Sequence, residues 1–226
     1  MLSALNSLYS SLAVDSPATA IMPLLSQHPE ARIVRVQLRQ NLVLKHLDAG
    51  QWEQIETLLE IIDYPKNEAL ELQGALSMEQ YFIIDGILKR VVSNAQGKEM
   101  ILRFAAESDI DTSYAAWRLK RPVPYSIRAV TKVRAAKLSM EQWVHFMAQH
   151  PGIKNAFEFE IMKLMSEVMA HTITLHLLDA PGRVRRFMRK HAELAGRLPK
   201  KELASYLNLS PETLSRLKRR GKINLR

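Results

Sequence analysis

Residues 198–217 read Leu198-Pro199-Lys200-Lys201-Glu202-Leu203-Ala204-Ser205-Tyr206-Leu207-Asn208-Leu209-Ser210-Pro211-Glu212-Thr213-Leu214-Ser215-Arg216-Leu217. Their spacing predicts two short helices set across a tight turn. The first runs from about Lys200 to Tyr206, with Leu203 and Ala204 facing inward. Asn208, a residue type that tolerates positive φ, marks the turn between Leu207 and Leu209. Ser210 is a good N-cap, and Pro211 suits the first helical position, where an N–H has no intrahelical acceptor. Leu214 and Leu217, three apart, anchor the second helix on the first and leave Glu212, Thr213, Ser215, Arg216 and Arg219 outward. A helix-turn-helix needs polar side chains on that outer face, because its second helix enters a DNA groove.

The charge distribution supports a polyanionic partner. From Arg183 to Arg226 there are fourteen Lys or Arg against three acidic residues, a balance of +11, while the preceding 182 residues balance at −2. The whole net charge of +9 therefore comes from the C-terminal fifth of the chain, and phosphate contacts would make its affinity steeply salt-dependent. The candidate DNA-contacting residues are Lys200, Lys201, Ser210, Pro211, Glu212, Thr213, Ser215, Arg216, Lys218, Arg219, Arg220 and Lys222.

At 226 residues, 47% of them hydrophobic and 24% charged, the chain suits one sizeable core plus a small second domain. No apolar run approaches the ~18 to 20 residues of a membrane helix. Residues 1–22 do not read as a signal peptide, having no basic residue before Arg32 and an apolar run broken by Ser7, Ser10, Ser11, Asp15 and Pro17. With no cysteine, the sequence excludes disulfides, thiolate zinc sites, a cysteine nucleophile and cysteine-ligated iron–sulfur clusters. This fits a cytoplasmic setting. The seven histidines, His28, His46, His145, His150, His171, His176 and His191, are dispersed and show no metal-ligand spacing. No nucleophile–base pair or glycine-rich phosphate loop emerges, so the sequence does not read as an enzyme, and no metal or catalytic residue is assigned.

Toward the N-terminus the organisation is uneven. Residues 1–40 form an extension of unclear role, and Leu42, Leu44, Leu47, Trp52, Ile55, Leu58 and Leu59 suit two short helical pieces broken at Asp48-Ala49-Gly50. Residues 61–138 carry short β-rich runs separated by turn signals: Tyr81-Phe82-Ile83-Ile84, then Asp85-Gly86, then residues 87–92, 94–97, 100–104, 125–130 and 133–138. Strands so short and evenly punctuated predict a sandwich or a jelly roll (double-stranded β-helix). Met140 onward is helical. Phe157, Ile161, Leu164, Val168, His171, Leu175 and Leu178 alternate steps of four and three, a heptad seam that predicts a partner helix and hence a homodimer. Met162, Met165, Met169 and Ile173 form a second stripe assigned to the helix's own domain, and His171 within the seam reads as a hydrogen-bonded interface histidine, with a proton switch as the lesser alternative. Asp179-Ala180-Pro181-Gly182 stops that helix, with Asp179 capping the next.

A β-roll, a long seam helix, a Leu-Asp-x-x-Gly-Arg hinge (residues 178–183) and a C-terminal helix-turn-helix resemble, in that order, the Crp–Fnr family of bacterial transcription regulators; the resemblance spans residues 41–224. Gln73-Gly74, residues 81–89 and Gly97-Lys98-Glu99-Met100 look like the first half of that family's cyclic-nucleotide-binding fold. The resemblance implies an α+β chain with a sensor β-roll and flanking helices at 41–150, a dimerisation helix and hinge at 151–180 and a winged helix-turn-helix at 181–226. It implies as partners double-stranded DNA, a second copy and RNA polymerase. Nucleotide-binding members carry Gly-Glu on a short helix and Arg-Ser or Arg-Thr soon after. Here Thr112-Ser113 and Val123-Pro124 stand at those places, which predicts no tight binding of cyclic AMP or cyclic GMP. A remodelled effector pocket would draw on Thr112, Ser113, Tyr114, Trp117, Arg121, Tyr125 and Arg128. Glu212-Thr213-Leu214-Ser215-Arg216 matches the family's Glu-x-x-Ser-Arg recognition pattern, implying a TTGA-like half-site in an inverted repeat, and the short tail after Asn224 leaves little or no wing. A ligand sensor that signals through protein contacts, with the basic tail as a solvated surface, is the competing reading.

Overall fold

In a computed structural model that describes residues 23–220, residues 60–139 form eight short strands. These are β1 (Glu60–Tyr64), β2 (Ala69–Glu71), β3 (Glu79–Asp85), β4 (Leu88–Ser93), β5 (Glu99–Ala105), β6 (Ile110–Thr112), β7 (Ser126–Ala129) and β8 (Val133–Ser139). They pair antiparallel in two four-stranded sheets, ordered β1-β8-β3-β6 and β2-β7-β4-β5. This is the expected jelly roll. Strand β3 shows why the run from Tyr81 to Ile84 is continuously apolar: Tyr81 and Ile83 enter the space between the sheets, while Phe82 and Ile84 meet the helices outside. The Asp85-Gly86 turn requires glycine. Gly86 has φ +94°, and a Cβ there would sit 2.2 Å from the Lys132 carbonyl oxygen.

Helices cover the outer face of the first sheet. Helix α1 (Ala31–Leu38) and α2 (Ala49–Glu56) precede the strands, α3 (Tyr114–Arg118) follows β6, and α4 (Met140–Gln149) follows β8. The Asp48-Ala49-Gly50 break is the start of α2. Asp48 Oδ1 accepts from the Gln51 N–H at 2.8 Å and Gln51 Oε1 accepts from the Asp48 N–H at 3.0 Å, a reciprocal capping box. Trp143 is the hub of this layer, edge-on to Phe82 and Phe157 at centroid distances of 5.3 and 5.4 Å. Residues 25–38, grouped by sequence with an extension of unclear role, belong to the same core, because Leu25, Val34 and Leu38 are buried in it.

Helix α5 (Pro151–Leu177) runs for 27 residues, and no helix among the described residues is long and apolar enough to cross a membrane. Leu178 is extended, Asp179 caps α6 (Ala180–Lys190) by accepting from the Gly182 N–H at 2.9 Å, and α7 (Ala192–Ala195), α8 (Lys200–Tyr206) and α9 (Pro211–Arg219) follow. The last four helices share an apolar cluster with the outer face of the second sheet: Val184, Phe187, Leu194 and Leu203 pack with Ile87, Val91, Ile101 and Phe104.

The two stripes of α5 are exchanged relative to the sequence reading. Phe157 and Leu164 are buried in the protomer's own core, Ile161 packs against that core, and Val168, His171 and Leu175 are half-covered. Only Leu178, beyond the helix, is open. The stripe assigned to the protomer's interior lies outside instead, with Met162 and Met169 64% and 65% exposed and Phe159, Met165, Ile173 and Leu177 exposed beside them. Both faces are apolar, so periodicity locates two stripes without saying which one the protomer covers.

Candidate nucleic-acid interface and sensor chamber

The turn between α8 and α9 is built as the spacing predicts. Asn208 has φ +52°, Ser210 Oγ accepts from the Thr213 N–H at 3.1 Å, and Pro211 opens the second helix. Leu203, Ala204, Leu214 and Leu217 are buried between the helices. Arg183 fastens the turn to the hinge: its Nε donates to the Leu178 carbonyl at 2.9 Å and its Nη1 to the Leu207 carbonyl at 3.1 Å. On the outer face Lys200, Lys201, Glu212, Arg216, Lys218, Arg219 and Arg220 are exposed, and none of these cations has a carboxylate within 4 Å among the described residues. Pro211, Thr213 and Ser215 are half-exposed, and the Ser215 hydroxyl donates to the Pro211 carbonyl at 2.8 Å, leaving its lone pairs outward. The Glu212 carboxyl is held below the usual range by its own backbone amide and the Ser210 hydroxyl, so it stays ionised as an acceptor. Lys222 and the wing lie outside the described residues.

This unit is carried on the β-roll. Glu202 of α8 meets Lys89 of β4 at 2.8 Å with both side chains largely covered. Arg197 grips Glu107 with two parallel bonds, Nη1–Oε2 at 2.7 Å and Nη2–Oε1 at 2.5 Å. The ring of His171 stacks on Tyr206 at 3.7 Å. Burial pushes the His171 imidazole down to about 4, so it is neutral at physiological pH and does not switch there.

Inside the β-roll, where a cyclic nucleotide would sit in the resembled family, the chain places its own charges. Arg90 on β4 and Arg103 on β5 are cross-strand partners. Two like charges so placed repel unless a counter-ion lies between them. Asp111 on β6 supplies it: Asp111 Oδ1 accepts from Arg90 Nε at 3.0 Å and Nη2 at 2.5 Å, and Oδ2 is 3.7 Å from Arg103 Nη1. Arg90 also donates to the Thr112 carbonyl at 2.9 Å and lies 4.3 Å over the Tyr125 ring. Burial disfavours its charge, but Asp111, Tyr125 and Glu71 together more than offset this and hold the guanidinium protonated. Glu71 on β2 accepts from the Ser113 hydroxyl at 2.5 Å, while its other oxygen is buried without a partner.

Of the sequence-assigned pocket residues, Thr112, Ser113 and Tyr125 meet in this chamber. The others do not. Tyr114 turns to α5, donating to Glu158 Oε1 at 3.3 Å, and Trp117 stacks beside it at 6.4 Å. Arg121 is exposed, and Arg128 pairs with Glu99 at 2.9 Å. Glu71, Arg90, Arg103 and Asp111 were not singled out. The signal for Arg90 was its position two residues after inward-facing Leu88, which puts it on the interior face by strand period.

Burial, opposed by the Ser113 hydrogen bond, raises the Glu71 carboxyl from 4.5 to about 7. A raised carboxyl pKa means that folding favours the protonated form. The stabilisation is complete below about pH 4.5 and is lost as pH rises through about 7. Glu71→Gln mimics the protonated form, so it should stabilise the protein by about 2–3 kcal/mol at pH 8 and little at pH 5. Urea unfolding at both pH values checks this; equal effects at the two would show that Glu71 is ionised throughout.

A family model described as the cyclic nucleotide-binding domain matches residues 61–150. The chain is 20% identical over 164 residues to the cAMP-activated global transcriptional regulator CRP of Salmonella typhimurium, covering 68% of this chain and 78% of that one. Among solved structures, it superposes on the c-di-GMP responsive global regulator CLP of Xanthomonas campestris with TM-score 0.62 at 18% identity, covering 77% and 92% of the two chains. It superposes on CooA of Carboxydothermus hydrogenoformans with TM-score 0.64 at 16% identity, covering 84% and 92%. These structural likenesses describe a shared fold.

Proposed function

With the cyclic nucleotide-binding domain at residues 61–150 and the kinship to the Crp–Fnr regulators as premise, we propose a homodimeric transcription regulator that reads an inverted-repeat DNA site. The observation that carries this reading is the outer face of α9, where Arg216, Lys218 and Arg219 project without carboxylate partners among the described residues, beside ionised Glu212. Arg216 can donate two bonds to a guanine edge and Glu212 can accept from a cytosine amine, while Lys200 and Lys201 reach phosphates. The exposed stripe of α5 supports a second copy that would present a second α9 about one DNA turn away. RNA polymerase is the partner such a regulator acts through.

The chamber does not fit a cyclic nucleotide. A cyclic phosphate needs a free guanidinium or a set of backbone donors to leave water, yet Arg90 is committed to Asp111 and Thr112, and carboxylates line the same space. The regulator is therefore proposed to act without cyclic AMP or cyclic GMP.

Selection from a random duplex pool by the purified protein should enrich an inverted repeat with TTGA-like half-sites. Arg216→Ala should weaken binding to that site by about 1–3 kcal/mol per half-site and relax preference at one base pair. No enrichment by an intact dimer would favour the competing reading, a sensor that signals through protein contacts.

A further inference from the structure

A second cavity, of about 230 Å³, lies where β5, α5 and the α6–α7 segment meet. Its apolar side is formed by Leu42, Phe104, Leu164 and Leu194. Charges of both signs line much of the rest, together with His191 and Glu193. Arg103 faces Asp109 at 3.5 Å, Lys163 faces Glu160 at 3.2 Å, and Lys190 faces Glu167 at 3.5 Å. All three separations exceed the ~2.7–2.9 Å of a tight charge-assisted bond, so donors and acceptors have capacity left. Arg103, 8% exposed, lines the cavity; its Nη1 donates to the Ile110 carbonyl at 3.1 Å and its Nη2 meets Asp109 at only 3.5 Å.

We propose that this cavity binds a free α-amino acid with an apolar side chain. A simple anion would meet Asp109, Glu160 and Glu167, and a simple cation would meet Arg103, Lys163 and Lys190; a zwitterion sets one charge against each. Its carboxylate lies against the cations of Arg103, Lys163 and Lys190, its ammonium lies among Asp109, Glu160 and Glu167, and its side chain covers Leu164 and Leu194. At about 230 Å³ the cavity lies below the ~300 Å³ at which pockets for drug-sized ligands begin, which suits a molecule as small as an amino acid. The ligand would touch the β-roll, the long helix and the DNA-binding unit at once. Its binding would then bias their relative placement.

Titration calorimetry on the full-length protein without DNA tests this, using L-leucine, L-methionine and L-phenylalanine at millimolar concentration. The single-charge controls are 4-methylpentanoate and isoamylamine. At least one amino acid should bind one per protomer, and both controls should bind about tenfold more weakly or worse. Lys163→Met and Glu160→Gln, on the outer part of α5, should each weaken binding about tenfold while thermal unfolding of the unliganded protein is unchanged. No binding by any of the three, equal binding of the controls, or indifference to both substitutions overturns the proposal. The readout contains no DNA, so it stands or falls separately from the DNA-binding reading.

Discussion

Replacing Met162 and Met169 together with glutamate should turn the protein into a monomer and weaken binding to the inverted repeat by about 10²–10⁴-fold. Phe159, Met162, Met165, Met169, Ile173 and Leu177 follow one another by 3, 3, 4, 4 and 4 residues, the line of a straight helix, and all are exposed. A stripe this long and apolar on a water-facing helix marks an association surface. A two-fold axis beside α5 would set it against its own copy, so one substitution introduces its charge twice in the interface. Two carboxylates per protomer then meet in a dry seam, where unpaired charge is strongly disfavoured. The effect on DNA follows because a monomer engages one half-site and loses the effective concentration that linkage supplies. Light scattering and anisotropy titration would measure the two effects. Leu164→Ala is the informative contrast. Leu164 is buried in the protomer's own core, so its truncation should cost about 2–5 kcal/mol of stability while folded chains remain dimeric. Dissociation by Leu164→Ala with an unaffected Met162→Glu/Met169→Glu protein would return the seam to the face the heptad spacing first indicated.

That contrast shows where the sequence was legible. The hairpin at 200–219 could be read almost residue by residue, because caps, a positive-φ asparagine and leucine spacing are local signals. The strands were legible for the same reason: turns at Asp85-Gly86 and 94–97 punctuate runs whose two faces differ. Helix α5 was visible but its orientation was not, since both of its stripes are apolar and only the β-roll decides which is covered. Helix α1 was missed because its two core side chains, Val34 and Leu38, are outnumbered by exposed Arg32, Ile33, Val36 and Gln37 and half-covered Arg35. The chamber was least legible. Arg90, Arg103 and Asp111 come from three different strands and acquire meaning only when the sheets bring their charges together.

The same three residues carry the largest expected loss of stability. Asp111 is fully buried between two guanidiniums that oppose one another across β4 and β5. Among the described residues Asp111 is the only carboxylate bonded to Arg90, so Asp111→Ala leaves the Arg90 guanidinium buried without a counter-ion and facing Arg103, which keeps only the Asp109 carboxylate at 3.5 Å. Breaking a buried pair by deleting one partner costs about 3–5 kcal/mol, a large share of the stability of an ordinary domain. Arg90→Met combined with Asp111→Leu should recover much of that loss, because the desolvation of both ions is removed together and apolar volume replaces it. Urea unfolding at fixed protein concentration distinguishes the cases, with the coupling between the two sites read from the double-mutant cycle. If Asp111→Ala costs less than about 1 kcal/mol, the guanidiniums are finding water, and the chamber is an open, hydrated space rather than one closed by its own ion pairs. That outcome would also reopen the chamber to a ligand, since a guanidinium that can be hydrated can instead be offered to a phosphate. A loss in the expected range, recovered by the apolar pair, means that Arg90 and Asp111 have taken the place of a ligand's charges as permanent constituents of the β-roll.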